Sequence, residues 1–106
     1  SGPDPIEKTS RVIVVGVGRF GQTLVRLLRA NGVQPVVLDL DAEQIEIVSR
    51  FGLKAHFGDG SDLELLRLAG LDEARALVLA IDDPEKTLAL AEVLAKEYPS
   101  LPLFVR

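Results

Sequence analysis

The stretch Val12–Leu24, VIVVGVGRFGQTL, decides the fold. It opens on an unbroken apolar run, Val12 to Val15, which is what a strand covered on both faces requires. Gly16, Gly18 and Gly21 follow in the spacing G-x-G-x-x-G, and from about Phe20 to Ala30 the pattern turns helical. Leu24, Leu27 and Leu28 then share one face while Arg26 and Arg29 turn outward. A lone G-x-G-x-x-G carries little weight, but set directly between a strand and a helix it reads as a phosphate-binding turn. Gly16 makes the tight turn, Gly18 lets the backbone approach a pyrophosphate, and Gly21 lets helix and strand pack closely. The N–H groups that open the helix, aided by its dipole, then face the phosphate.

The same alternation continues outward from this unit. Asn31-Gly32 ends the first helix, and Val36 to Leu40 forms a second strand. Asp41 caps the next helix, with Gln44 completing a capping-box pattern, and that helix stops at Gly52 after about Phe51. Lys54 to Phe57 is a third strand; Ser61 with Glu64 repeats the capping box and opens a helix through about Ala69, ended by Gly70. Leu77 to Ile81 is a fourth strand, and Asp83-Pro84 supplies a cap and an N1 proline for a helix from Glu85 to about Glu97. Leu103 to Val105 begins a fifth strand. Right-handed crossovers make this an α/β, Rossmann-like doubly wound parallel sheet in the order 3-2-1-4-5 with helices on both faces. The sixth strand of a complete dinucleotide fold is absent from the pattern, and the fold is expected to be truncated there. Residues 11–106 are one nucleotide-binding domain, and residues 1–10, with two prolines and no apolar periodicity, read as a linker.

The candidate ligand residues gather at the carboxyl ends of these strands. Asp39 ends the second strand about 20 residues after Gly16, the spacing of a ribose-binding acid. A carboxylate there accepts from ribose hydroxyls and repels a 2′-phosphate, which favours AMP or NAD(H) over NADP. Asp41 is read as a helix cap. Arg19, inside the glycine turn, either leans over the phosphates or is a solvated loop arginine, and Phe20 reads as a packing residue at the helix start. Asp59, in Gly58-Asp59-Gly60, either reaches the adenine end or stabilises the bend. Asp82 has no assignment. His56, the one histidine, has no metal-ligating neighbours at suitable spacing and reads as a partly buried strand residue.

Composition excludes several function classes. With 12 Lys+Arg against 16 Asp+Glu there is no net positive field for a phosphate backbone, so nucleic acid is not an expected partner. The absence of cysteine removes thiolate catalysis and thiolate metal sites. No uninterrupted apolar run approaches the roughly 20 residues that span a bilayer. Within 106 residues no second region is left to build a substrate cavity, and no proton donor or nucleophile motif accompanies the glycine turn. The grip alone does not make a dehydrogenase. The last helix carries Leu88, Ala89, Leu90, Ala91, Val93, Leu94 and Ala95, a wider apolar surface than one sheet face needs. It is either buried within the domain or covered by a second copy or a further segment.

Taken together, VIVVGVGRFGQTLVRLLRANGV, VVLDLDAEQIE, FGLKAHFGDGSDLELLRLAGL and ALVLAIDDPEKTLALAEVLA resemble the RCK/TrkA-N (KTN) nucleotide-binding domains, and among these the cytoplasmic domain of Kef-type glutathione-regulated potassium efflux systems. The resemblance covers nearly everything from Arg11 to Arg106. It implies no catalysis, but a regulatory domain behind a membrane antiporter or channel, the cytoplasmic part of a bacterial inner-membrane protein. Such a domain binds an adenine nucleotide, pairs as a homodimer and gates potassium transport. Gly16, Gly18, Arg19, Phe20 and Gly21 would form the phosphate turn, Asp39 the ribose contact and Asp59 the adenine-side contact. Gly60 departs from the alanine common at that position. Glutathione is implied only for the complete domain. The alternatives are the cofactor half of an NAD-dependent oxidoreductase and a bare oligomerisation module.

Overall fold

The computed structural model describes residues 11–16 and 18–106. The linker reading of residues 1–10 lies outside them. Five strands, β1 (Arg11–Val15), β2 (Val36–Asp39), β3 (Lys54–Phe57), β4 (Ala74–Leu79) and β5 (Leu103–Val105), form one sheet in the order β3-β2-β1-β4-β5. Every neighbouring pair is parallel. Helices α1 (Gly18–Ala30), α2 (Ala42–Arg50), α3 (Leu63–Leu68) and α4 (Pro84–Glu97) connect them, with a 3-10 turn at Leu71–Glu73 before β4. This is the doubly wound sheet that the glycine turn and strand alternation predict.

Strand alternation divides the core in two. Ile13, Val15, Val36, Leu38, Leu77 and Leu79 face α3 and α4, where Leu66, Leu90 and Leu94 close over them. Val37 turns to the other face and packs with Val25 of α1, Val48 of α2 and Leu53. Because β1 is central, Ile13 and Val14 are wholly buried, and the unbroken apolar run is explained. The sheet thins towards β5, where Phe104 is 58% and Val105 52% exposed. In α4, Thr87, Leu90 and Leu94 are buried at helical spacing, whereas Leu88 and Val93 remain exposed. The wide apolar surface of this helix therefore exceeds what its own sheet covers.

Several boundaries differ from the sequence reading, each for a local reason. Helix α1 begins at Gly18, two residues before the predicted start, with Gly18 itself at φ +28°, a conformation that glycine adopts without a Cβ penalty. Strand β4 spans Ala74–Leu79 instead of Leu77–Ile81: pairing with β1 recruits Ala74 to Ala76, and the ladder ends as Ala80 N–H donates to Val15 O at 2.8 Å. The predicted Ser61–Glu64 capping box is replaced by a cap at Asp62, whose carboxylate accepts from Glu64 N–H at 3.0 Å. Ser61 is already committed, because its hydroxyl donates to Asp59 Oδ1 at 2.6 Å. Asp41 does cap α2, but Gln44 does not complete the box; its carbonyl oxygen accepts from Gln22 Nε2 at 2.9 Å and ties α1 to α2. At α4 the sequence reading holds, with Asp83 accepting from Glu85 and Lys86 N–H and Pro84 in the first turn.

Gly60 is fixed by packing. It is buried, and a β-carbon there would stand 2.1 Å from Cγ1 of Val15, itself 3% exposed at the centre of the sheet. The glycine thus accommodates the second methyl of Val15. Gly60→Ala is expected to destabilise the fold by about 1–3 kcal/mol. When Val15→Ala has already removed the opposing methyls, the same change is expected to cost far less. Urea unfolding of the two single variants, the double variant and the parent measures the coupling, and strictly additive losses would contradict it.

Candidate nucleotide crevice

The carboxyl ends of the strands converge on a crevice of about 510 Å³. It lies where the strand order reverses, between β1, whose chain moves on to β2, and β4. Open α/β sheets offer their ligand site at this point. Gly16, Gly18, Arg19, Phe20, Gly21, Asp39 and Asp59, the residues singled out from the sequence, all line it. Two hydrogen bonds shape its floor by carrying the parallel ladders past the strand ends: Gly16 N–H to Leu38 O at 2.8 Å, and Gly58 N–H to Asp39 O at 2.9 Å.

The first two glycines serve different ends. Gly16 has φ +89°, and a β-carbon on it would stand 2.5 Å from the carbonyl oxygen of Ala80. This position is closed by backbone, so its requirement for glycine is structural. Gly18 has φ +28° and would carry its β-carbon into open space, with nothing within 4 Å. Among the described residues nothing packs into that space, which leaves the backbone open to an approaching group. Helix α1 has no acidic residue in its first turn, so the positive end of its dipole faces the crevice without a carboxylate of its own helix to offset it. Gly21 is buried within α1. Arg19 and Phe20 are exposed, Phe20 by 41%, so Phe20 lies at the rim and is not the packing residue the sequence suggests.

The two carboxylates are held by local geometry. Asp39 Oδ1 accepts from the N–H of Asp41 at 2.8 Å, which fixes the side chain at the end of β2. Asp59 Oδ1 accepts from both the hydroxyl of Ser61, at 2.6 Å, and its N–H, at 2.9 Å. The Ser61 hydroxyl and then its N–H hold the Asp59 carboxyl below the usual carboxylate range, burial opposes them, and Lys86 adds to the lowering. Lys86 Nζ, on the first turn of α4, stands 3.5 Å from Asp59 Oδ2. Asp59 is thus both the turn residue and a crevice carboxylate.

The far side of the crevice holds what the sequence reading left out. Asp82, after β4, and Arg106, after β5, both line it and lie 3.6 Å apart. The Arg106 guanidinium also stands 5.6 Å from the centroid of the Phe20 ring. The sequence signal for Arg106 was positional: a residue directly after β5 falls on the same edge as the glycine turn. His56 lies elsewhere, partly buried as expected, in a hollow with Arg11, Lys54 and Arg67 at the opposite part of the molecule. Among the described residues no cluster of three or more His, Cys, Asp or Glu side chains could hold a metal ion, and no helix is long and apolar enough to cross a membrane.

Comparison with known proteins gives the chain its relatives in sequence and fold. The chain is 45% identical over 100 residues to the glutathione-regulated potassium-efflux system protein KefC of Salmonella newport, covering 94% of this chain and 16% of KefC. It therefore spans about a sixth of that relative's length. Among solved structures, the AMP-bound form of the Kef C-terminal domain of Shewanella denitrificans matches with a TM-score of 0.80 and 40% identity, over 92% of this chain and 58% of that one. The TrkA-N domain of the inner membrane protein ybaL of Escherichia coli matches with a TM-score of 0.85 and 24% identity, over 92% of this chain and 72% of that one, and this shows the fold. The TrkA-N domain profile matches residues 12–106, so that the chain, from the start of its first strand to its last residue, belongs to the TrkA-N domain family.

Proposed function

We propose that this chain is the nucleotide-sensing regulatory domain of a Kef-type potassium efflux system, binding AMP or NAD(H) in the crevice at the carboxyl edge of its sheet. The observation that carries the reading is the meeting of an open glycine turn with two oriented carboxylates in one crevice of a chain 45% identical to KefC. The phosphate lies against the N–H groups around Gly18, the ribose hydroxyls donate to Asp39, and the adenine lies towards Asp59. Arg19 is poised at the rim to add charge to the phosphate contact.

The chemistry of the lining favours a sensor over a hydride-transfer enzyme. The titratable side chains among the described residues lining the crevice are aspartates and arginines, and Asp39, Asp41 and Asp59 are already engaged as acceptors of backbone N–H groups, which suits holding a ligand. A sensor needs only differential affinity: the ligand must bind one arrangement of domain and transporter more tightly than another. The exposed apolar residues of α4 and β5, Leu88, Val93, Phe104 and Val105, would then face a second copy in a homodimer or the membrane transport domain. In this reading the chain acts on the cytoplasmic side of a bacterial inner membrane, and glutathione binding belongs to the complete domain.

Calorimetry with AMP, NADH, NADPH and ATP tests the reading. AMP and NADH are expected to bind, and NADPH more weakly because Asp39 repels its 2′-phosphate. Gly18→Asp, which places a carboxylate in the open space before the helix, is expected to abolish binding without unfolding the chain; retained affinity would misplace the site. Asp39→Ala is expected to weaken AMP and NADH by about tenfold, the loss of a charge-assisted hydrogen bond. Undiminished affinity would remove Asp39 from the contact.

The state of Asp59 is checked separately. Its pKa lies below the ordinary 3.8, so its contribution to stability is complete above that value and is lost as pH falls through the lowered one. A carboxyl carbon NMR titration is expected to show the depressed inflection, and Ser61→Ala is expected to raise it. An inflection unmoved by that substitution would mean that Ser61 does not hold the carboxylate.

A further inference from the structure

We infer that Arg106 reads a second phosphate on the bound nucleotide, so that the crevice discriminates between mononucleotides such as AMP and ligands that carry a diphosphate, such as ADP and NADH. The inference rests on the nucleotide reading above and assigns the half of the crevice which that reading leaves empty.

Asp39 and Asp59 lie at the ends of β2 and β3 and draw ribose and adenine to one side of the glycine turn. The first phosphate then sits at the turn itself, and any group beyond it must continue across the reversal point to the ends of β4 and β5. That half is lined by Ala80, Ile81, Asp82 and Arg106. Arg106 is anchored there through its backbone, whose N–H donates to Leu79 O at 3.1 Å. Its guanidinium, 5.6 Å from the Phe20 ring centroid, stands beside the first turn of α1. A second phosphate at this place meets the positive end of the helix from one side and a planar, five-donor cation from the other.

The present partner of Arg106 is easily displaced. Asp82 approaches to only 3.6 Å, its side chain is 96% exposed, and an ion pair of this kind is worth little in water. A phosphate offers more acceptor oxygens and the bidentate geometry that guanidinium prefers. Without the Arg106 guanidinium this half would be left with negative charge, the Asp82 carboxylate included, and a second phosphate would be repelled.

The test is calorimetry of AMP, ADP and NADH on the unmodified chain, Arg106→Gln and Asp82→Asn. Arg106→Gln is expected to weaken ADP and NADH by about tenfold while changing AMP by less than about twofold. Asp82→Asn, which removes the competing carboxylate, is expected to strengthen ADP binding. Equal losses for AMP and ADP in Arg106→Gln, unchanged ADP affinity, or weaker ADP binding in Asp82→Asn would each overturn the assignment while leaving the nucleotide reading intact. Failure of the unmodified chain to bind any of the three would instead refute that reading, and this assignment with it.

Discussion

The carbonyl oxygen of Ala80 stands 2.5 Å from where a side chain on Gly16 would begin, and this close approach organises the crevice. It lets the chain leave β1 and turn into α1 directly beside the end of β4, with Ala80 N–H bonded to Val15 O and Gly16 N–H bonded to Leu38 O, each at 2.8 Å. The ends of three strands are thereby locked around one point. Because β1 is central and buried from Ile13 to Val15, the point cannot shift without disturbing both faces of the core. The helix N-terminus is consequently presented in a fixed place, at the reversal of strand order, with its positive dipole end towards the crevice.

Charge is distributed around that point in a way that suits an adenine nucleotide. The chain is acidic overall, with a formal charge of −4, yet the crevice brings the N-terminus of α1, Arg19 and Arg106 together with Asp39, Asp59 and Asp82, so that both signs of charge line it. Asp59 is kept ionised by Ser61 and bridges to Lys86 on α4, which links the β3 side of the crevice to the helix carrying exposed Leu88 and Val93. A ligand that competes for Asp59 therefore acts on an ion pair between β3 and α4. In the proposed sensor, this ion pair would be the physical route from the crevice to the apolar surface of α4.

Much of this was legible in the sequence, and the reasons are local. The run Val12–Val15, the glycine spacing and the Asp83-Pro84 start of α4 each specify backbone geometry through a residue type that few other geometries demand, and these gave strand order and element identity correctly. Where two residues compete for one role, sequence could not choose: Ser61 and Asp62 are both capping residues, and Asp62 won because Asp59 had claimed the serine. Gln44 was likewise taken by Gln22, a residue 22 positions away. The 3-10 turn at Leu71–Glu73 and the early start of β4 depend on pairing with β1, a tertiary event without a local signature. The Gly60–Val15 contact and the approach of Arg106 to Phe20 had no local signature for the same reason, since each joins segments that meet only once the sheet has formed, although the position of Arg106 directly after β5 already pointed to this edge.

The central claim is that the glycine-turn crevice, and no other surface of this chain, receives an adenine nucleotide. Amide chemical-shift mapping of the isotope-labelled chain during titration with AMP tests it most directly. The shifts are predicted to cluster at Gly16 to Gly21, at Asp39 to Asp41 and at Gly58 to Ser61, all on one edge of the sheet. Shifts centred on Arg11, Lys54 and His56 in the other hollow, or no saturable shifts at all, would contradict it.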